Sequence, residues 1–353
     1  MSIYHFVFKH GLTKTDPEFA HHATVWALNL AHRIPGGPLV LRTLFSRGAG
    51  AGRTVMGMRF KTPLGMGAGF DKDAEIPLAL LDMGYGFVEV GTVTPRPQPG
   101  NPAPRAFRLV PDRALINRMG FNNGGADAMA ARLAKVRAKK RGCDAVIGVN
   151  IGKNKTTELA DAVEDYRYCA RTLAPYASYL AVNVSSPNTP KLRELQTVQA
   201  LRPILVAVQE EAAKVIGPHG NPVPVLVKIA PDLHDDDIVA LCELVREIGL
   251  DGVIATNTTI ERPHDLLTDP AKVEAAGAGG LSGPMLAPRS REVLALLRRE
   301  LPAETCVMSV GGIFTADEAR ARLDAGADLV QGFTAMIYEG PAWPGRIARQ
   351  LLG

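Results

Sequence analysis

Read for the alternation of apolar and polar positions, the chain falls into two unlike parts. In the first fifty residues the apolar positions recur at helical spacing, beginning with Tyr4, Val7 and Phe8. A longer helix is predicted from Asp16-Pro17-Glu18, where an N-cap, a proline at the first helical position and an acid at the positive end of the dipole coincide. Phe19, Ala23, Trp26 and Leu30 then form one apolar face, and Ile34-Pro35-Gly36-Gly37 ends the helix. Leu41, Leu44 and Phe45 predict a second short helix before a flexible linker, Gly48 to Gly52. The apolar face of this hairpin either packs on the rest of the chain as a cap or stays open to lipid or an apolar ligand.

From Val55 onward the pattern becomes strand followed by helix. Val55 to Phe60 predicts a short strand, as in a hairpin closing the bottom of a barrel. Eight core strands are predicted after it: Leu64–Met66, Phe87–Val90, Val146–Asn150, Leu180–Val184, Val225–Ile229, Gly252–Ala255, Val307–Val310 and Leu329–Gly332. Helical patterns fill the gaps, among them Ala74–Met83, Gly124–Arg141, Ala160–Leu173, Leu195–Val215, Asp236–Ile248, Pro288–Leu301 and Ala316–Asp324. The predicted fold class is therefore α/β, a (β/α)8 TIM barrel over residues 51–353 with an N-terminal amphipathic helical hairpin over residues 1–50. A doubly wound sheet is the alternative, but it needs fewer strands and a glycine-rich turn after the first. Two long non-helical insertions, Thr92–Asn122 and Thr258–Gly283, have the length of functional loops.

Composition narrows the classes. Of 353 residues, 46% are apolar and 22% charged, which is ordinary for a globular protein, and a net charge of +4 is too small to argue for nucleic acid. Cys143, Cys169, Cys242 and Cys306 lie far apart with no CxxC pair, which argues against structural zinc or a disulfide framework. No apolar run approaches the roughly 20 residues of a membrane span. The N-terminus lacks the pattern of a signal peptide. These features predict a cytoplasmic protein or one on the cytoplasmic face of a membrane, with no obligate protein partner evident.

The polar residues fall where the strands end. They include Gly67–Lys72, Gly91-Thr92, Asn150, Asn183 with Ser186-Pro187-Asn188, Lys228, Thr256-Asn257-Thr258, Gly311-Gly312 and Phe333-Thr334. Unpartnered, each buried polar group costs about 1–3 kcal/mol, so their gathering at one end of the strands predicts a polar pocket. Ala181 to Pro190 stands out, a core strand running into a loop stiffened by Pro187 and Pro190. Alone, it reads equally well as a capped structural loop. Gly311-Gly312 before a helix is placed to hold a phosphate, or is simply a tight turn. The strand ends carry no metal constellation and Asp71 as their one carboxylate. Amides, two lysines (Lys72 and Lys228) and a phosphate site predict that a cofactor carries the chemistry, with flavin mononucleotide (FMN) the natural fit.

These motifs resemble those of the dihydroorotate dehydrogenases, and more closely the membrane-associated, quinone-reducing class. The resemblance rests on AGFDK at Ala68–Lys72, GTVTPRPQPGNP at Gly91–Pro102, NRMGF at Asn117–Phe121, NIGKNK at Asn150–Lys155, NVSSPNTP at Asn183–Pro190, TNTT at Thr256–Thr259, GGLSG at Gly279–Gly283 and VGGI at Val310–Ile313. It implies one FMN per chain, held by Ala68, Gly69, Phe70, Asp71, Lys72, Thr92, Asn150, Asn183, Lys228, Thr256, Gly283, Gly312, Phe333 and Thr334. It implies dihydroorotate bound by Lys72, Asn117, Arg118, Met119, Gly120, Phe121, Asn183, Asn188, Asn257 and Thr258. Ser186 falls at the position of the catalytic base, where the soluble class has Cys. The implied reaction takes a proton from C5 and hydride from C6 to flavin N5, with electrons passed to a quinone. The hairpin becomes an apolar tunnel resting on the membrane, with Phe19, Trp26, Leu30, Leu41 and Leu44 as candidate lining and His21 and Arg108 beside the quinone. Phe333 departs from the family, where Tyr is common. The rival readings are a soluble dihydroorotate dehydrogenase using fumarate or NAD, disfavoured by Ser186 and the hairpin, and a phosphate-binding barrel without redox chemistry.

Overall fold

A computed structural model describes residues 3–46 and 52–352. Most of the predicted Gly48–Gly52 linker lies outside the described residues. Eight parallel strands close a barrel: β1 (Leu64–Met66), β2 (Phe87–Val93), β3 (Ile147–Ile151), β4 (Tyr179–Asn183), β5 (Val225–Ile229), β6 (Gly252–Ala255), β7 (Cys306–Val310) and β8 (Leu329–Gly332). Each pairs with its sequence neighbours and β8 returns to β1. Helices of matching position surround it, from Pro77–Asp82 to Trp343–Gln350. The doubly wound alternative is thereby removed.

The predicted strands agree with the observed ones because parallel barrel strands are buried on both faces and read as short apolar runs. Inside the barrel large and small residues interlock. A Cβ on Gly65 would lie 2.3 Å from the Phe87 ring, and one on Gly148 would lie 2.0 Å from the Tyr179 ring. Only glycine leaves room for these rings on the barrel axis.

The Val55 to Phe60 run is not one strand. It turns at Met56-Gly57, both with positive φ, and makes an antiparallel hairpin of Arg53–Val55 with Met58–Phe60. The period-two pattern carries no mark of that reversal, since Met56 sits in a conformation that methionine seldom adopts. Met58 and Phe60 plug the barrel's lower end, Phe60 meeting Phe87 edge to face at 5.3 Å. The two insertions are not structureless either. Ala106–Leu109, Ala114–Asn117 and Gly280–Ser282 form a small antiparallel sheet over the barrel mouth, and Pro270–Ala276 is a helix within the second insertion.

Among the described residues three α-helices precede the barrel: α1 (Ile3–His10), α2 (Pro17–Arg33) and α3 (Gly37–Phe45). Asp16 caps α2 by accepting from the Phe19 N–H at 2.8 Å. The helices are tied to the barrel by packing and charge. Phe8, Leu28 and Leu41 join the main core. Asp82, buried on the helix after β1, meets His32 and Arg42 from the hairpin as well as Arg141. Glu18 pairs with Arg105 of the insertion at 2.6 Å.

The inward face of the hairpin differs from the predicted one. Phe19 is 67% exposed and Trp26 68%, and Leu30 and Leu44 also point to solvent. Ala20, His21, Thr24, Ala27, Leu28 and Ala31 border the cavity beneath the hairpin instead. Helix periodicity locates an apolar stripe, but both sides of α2 carry apolar residues, and Leu28 is the one of them that is fully buried. Among the described residues no helix is long and apolar enough to cross a membrane.

Candidate active site

One cavity of about 650 Å³ joins the barrel mouth to the underside of the hairpin. Its outer part is apolar, walled by Tyr4, Phe8, Leu12, Ala27, Leu28 and Phe45 on one side and Ile337 on the other. Its inner part is polar, walled by Lys72, Asn117, Asn183, Ser186, Asn188, Lys228 and Asn257.

The strand ends put these residues together. Asn150 ends β3, Asn183 ends β4, Lys228 lies one residue before the end of β5, and Thr256 and Asn257 follow β6. Asn183 Nδ2 donates to Asn150 Oδ1 at 3.1 Å and to Thr92 Oγ1 at 2.9 Å. Asn188 Nδ2 donates to Asn117 Oδ1 at 3.2 Å, which ties the Ser186 loop to the small sheet. Ser186 is buried, and its Oγ accepts the Asn188 N–H at 3.3 Å. At the other end Gly283, Gly311, Gly312, Phe333 and Thr334 border the cavity, and the hydroxyls of Ser282 and Thr334 lie 2.9 Å apart.

Ala68, Gly69, Phe70, Met119, Gly120, Phe121 and Thr258 also border the cavity. Three residues of the predicted set do not. Asp71 turns its carboxylate into the loop, where it accepts the N–H groups of Glu75 and Ile76 at 2.7 and 2.9 Å. Burial still pushes that carboxyl up to about 6. Arg118 lies over the Phe107 ring and donates to Pro104 O at 2.9 Å, holding the small sheet. Asn150 lies one layer beneath the wall and reaches it through Thr92 and Asn183.

His21 and Arg108 both border the cavity. The His21 ring stands edge-on to Phe70, centroids 5.0 Å apart, and Phe70 stands edge-on to Phe333 at 5.7 Å. Burial pushes the His21 imidazole down to about 3, helped by the charge of Lys72, so the ring is neutral and offers one donor and one acceptor. Arg108 donates to the carbonyls of Leu12 and Thr15, which fixes the chain between α1 and α2. Burial also lowers the Lys72 ammonium to about 8, opposed by the nearby Glu18 carboxylate.

Three residues that sequence reasoning missed shape this site. Arg193 donates from Nε to Ser185 O at 3.0 Å, from Nη1 to Asp232 at 2.7 Å and from Nη2 to Thr258 O at 3.0 Å, clamping the Ser186 loop to the loop after β6. Asn101 Nδ2 donates to the carbonyls of Arg118 and Asn188, both at 3.0 Å. Glu89, in the middle of β2, is a wholly buried carboxylate on the barrel axis. A lone acid within the apolar run Phe87–Val90 was the signal for it, since such a residue is rarely buried without partners.

Comparison with known proteins agrees with this geometry. A family model described as dihydroorotate dehydrogenase matches residues 51–353. The chain is 54% identical over 341 residues to a protein of Clavibacter michiganensis named dihydroorotate dehydrogenase (quinone), covering 97% of this chain and 96% of that one. It is 53% identical over 349 residues to one of the same name from Kineococcus radiotolerans, covering 99% and 94%. Among solved structures, ligand-free DHODH from Eimeria tenella superposes with a TM-score of 0.87 at 40% identity, covering 96% of this chain and 94% of that one. The same protein in complex with ferulenol gives 0.85 at 38% identity, covering 96% and 91%. With the barrel, its polar mouth and this likeness along nearly the whole chain, the protein belongs to the dihydroorotate dehydrogenase family, alongside members named for quinone.

Proposed function

We infer that the chain oxidises (S)-dihydroorotate to orotate, in de novo pyrimidine (UMP) biosynthesis, with one bound FMN and a membrane quinone as electron acceptor. The observation that carries this reading is the single cavity whose polar floor suits a pyrimidine and whose apolar outer part suits a quinone.

The residues present fit FMN. Gly311 and Gly312 have φ of 110° and 76°, and a Cβ on Gly312 would lie 2.6 Å from Ala287 N, so this turn is open only to glycine. With Ser282 and Thr334 it supplies backbone and hydroxyl donors for a phosphate. Lys228, Thr92 and Asn183 supply donors and acceptors for a heterocycle. FMN supplies the electron-accepting centre between substrate and quinone.

The chain's own groups do the rest. Lys72, Asn117, Asn188 and Asn257 hold the pyrimidine and its carboxylate. Asn188 Oδ1, buried without a partner among the described residues, is an acceptor waiting for a ring N–H. Ser186 Oγ takes the C5 proton as its own hydroxyl proton passes onward to a threonine hydroxyl or water, and Lys72 and the amides stabilise the charge that develops on the ring. Neutral His21 and Arg108 border the quinone head group. The exposed Phe6, Phe19, Trp26, Leu30, Leu39 and Leu44 lie on the outside of α1, α2 and α3, which rest peripherally on the cytoplasmic side of the membrane. Barrel and extension are then two units of function, 51–353 and 1–50.

The purified protein is expected to be yellow, absorbing near roughly 450 nm. Anaerobic dihydroorotate should bleach it, and a quinone should restore the colour far faster than fumarate or NAD. A colourless protein that takes up no FMN overturns the reading, and equal restoration by NAD or fumarate assigns it to the soluble class.

The pH dependence of orotate binding follows from Lys72. Its charge is present below about 8 and lost above it. Orotate affinity for the FMN-loaded enzyme should therefore hold below that value and fall as pH rises through it. Lys72→Met should weaken binding at neutral pH and remove this fall. A wild-type affinity flat through that range would exclude Lys72 as the carboxylate's partner.

A further inference from the structure

Below the cavity floor lies a carboxylate that none of these roles uses. The Glu89 side chain is shut off from solvent on the barrel axis. All four of its neighbours donate to it. Asn150 Nδ2 lies 2.8 Å and Lys228 Nζ 3.3 Å from Oε1. Gln331 Nε2 lies 2.8 Å and Tyr179 Oη 3.1 Å from Oε2.

A carboxylate accepts and cannot donate, so each neighbour must turn an N–H or O–H toward it. For Asn150 this commits the amide nitrogen and leaves Oδ1 facing the mouth. That oxygen accepts from Thr92 Oγ1 at 2.5 Å and from Asn183 Nδ2 at 3.1 Å. Asn183 is thereby left with Oδ1 on its other side, where it accepts from Ser185 N at 3.2 Å, Ser185 Oγ at 3.1 Å and Asn257 Nδ2 at 3.5 Å. Asn257 Oδ1 in turn accepts the Thr258 N–H at 2.8 Å. The far end is anchored independently, because the backbone N–H groups of Ser185 and Thr258 can only donate.

Packing alone does not call for this acid. The layer beneath it is filled by Phe60, Phe87, Leu226, Cys306 and Leu329. A buried carboxylate is tolerated only when its lone pairs are met, and here all four partners are in place. An amide side chain has nearly the same shape either way round, so its partners decide which end faces a ligand.

We propose that Glu89 is a positioning residue which fixes the way round of the Asn150 amide, so that Asn150 presents an acceptor to Asn183, and thereby holds in place the wall that recognises the pyrimidine ring. The proposal rests on the reading that the cavity takes FMN and dihydroorotate. With an amide at position 89, a donor replaces one acceptor, and Asn150 is free to turn over and set its own N–H groups against Asn183 Nδ2, which the Ser185 N–H holds from the other side.

The test uses full-length protein and three measurements. Orotate affinity is read from the absorbance change of bound FMN, FMN affinity from titration of the apoprotein, and folding from the melting temperature. Glu89→Gln is expected to weaken orotate binding by about tenfold or more, the penalty of one mismatched buried hydrogen bond. Combining Glu89→Gln with Asn150→Asp reverses the polarity of that one pair. The new amide can donate to the new carboxylate, which again presents only acceptors to Thr92 and Asn183. This double variant keeps a buried acid in the layer and is expected to bind orotate more tightly than Glu89→Gln alone. A role in packing alone predicts the opposite order. Unchanged orotate affinity in Glu89→Gln, or a double variant no better than the single one, overturns the proposal. If Glu89→Gln does not fold, the double variant is judged against wild type, and a tenfold or greater loss of orotate affinity overturns it. A wild-type chain that takes up no FMN overturns the underlying reading and this inference with it, whereas wild-type FMN binding with unaltered variants overturns only the role of Glu89.

Discussion

Ser186→Ala should retain its FMN and lose nearly all of its reduction by dihydroorotate. Ser186 is buried at the polar end of the cavity, and no other residue of the predicted set has a hydroxyl in that loop facing the cavity. Its Oγ accepts the Asn188 N–H, so that N–H helps aim it. Pro187 restricts the backbone beside it, and Arg193 clamps Ser185 from behind. The side chain therefore has little freedom to lose when substrate binds, which is how a weak base is made effective. Removing a positioned base costs about 10²–10⁴-fold in rate. The groups assigned to FMN are other side chains, all but Asn183 on other strand ends, and are untouched, so the variant should purify yellow. Anaerobic stopped flow, following bleaching of the flavin band, separates the chemical step from quinone turnover. Reduction at a near-normal rate would show that Ser186 is not the base.

Deleting residues 1–45 should abolish quinone turnover while leaving reduction by dihydroorotate. The outer half of the cavity exists only because α1 and α2 lie over the barrel mouth, contributing Tyr4, Phe8, His21, Ala27 and Leu28. Lys72, Asn183, Ser186, Lys228 and Asn257 belong to the barrel and stay. Without the hairpin a quinone meets an open surface and loses its orientation, and misplacement alone can cost about 10²-fold. The deletion also uncovers Phe70, Phe333 and Tyr338, so the truncated protein is best handled in detergent. Ala27→Trp in the full-length chain makes the same point without truncation, because the indole would fill the passage between hairpin and barrel. Both variants should bleach with dihydroorotate and recover slowly with quinone. Full quinone turnover by the truncated protein would remove the tunnel from the mechanism.

The barrel was legible because its signals are local. Each strand is a short buried run, each helix a periodic one, and each strand end carries its own polar residues, so eight repeats of one pattern needed no knowledge of contacts. The Asn183–Pro190 loop was legible for the same reason, since two prolines and a run of hydroxyls and amides mark a rigid polar segment wherever it lies. The turn at Met56-Gly57 was not, because a reversal that depends on one strained residue leaves the alternation of its neighbours intact.

What the sequence determined by itself was the class of fold, the end of the barrel where the polar residues gather and the residue types found there. Which face of each element looks inward was decided only in three dimensions. Along α2 apolar residues occupy both sides, and the fit against the barrel chose the alanines and His21 over Phe19 and Trp26. Asp71 and Glu89 exchanged standing for a similar reason. Asp71 is a strand-end acid, but its carboxylate is drawn into the N–H groups of its own loop. Glu89 sits inside an apolar run, but it faces the axis, where four other strands bring donors to it. Hydrogen-bond partners distant in sequence are set by closure of the barrel, and a carboxylate's value depends on those partners.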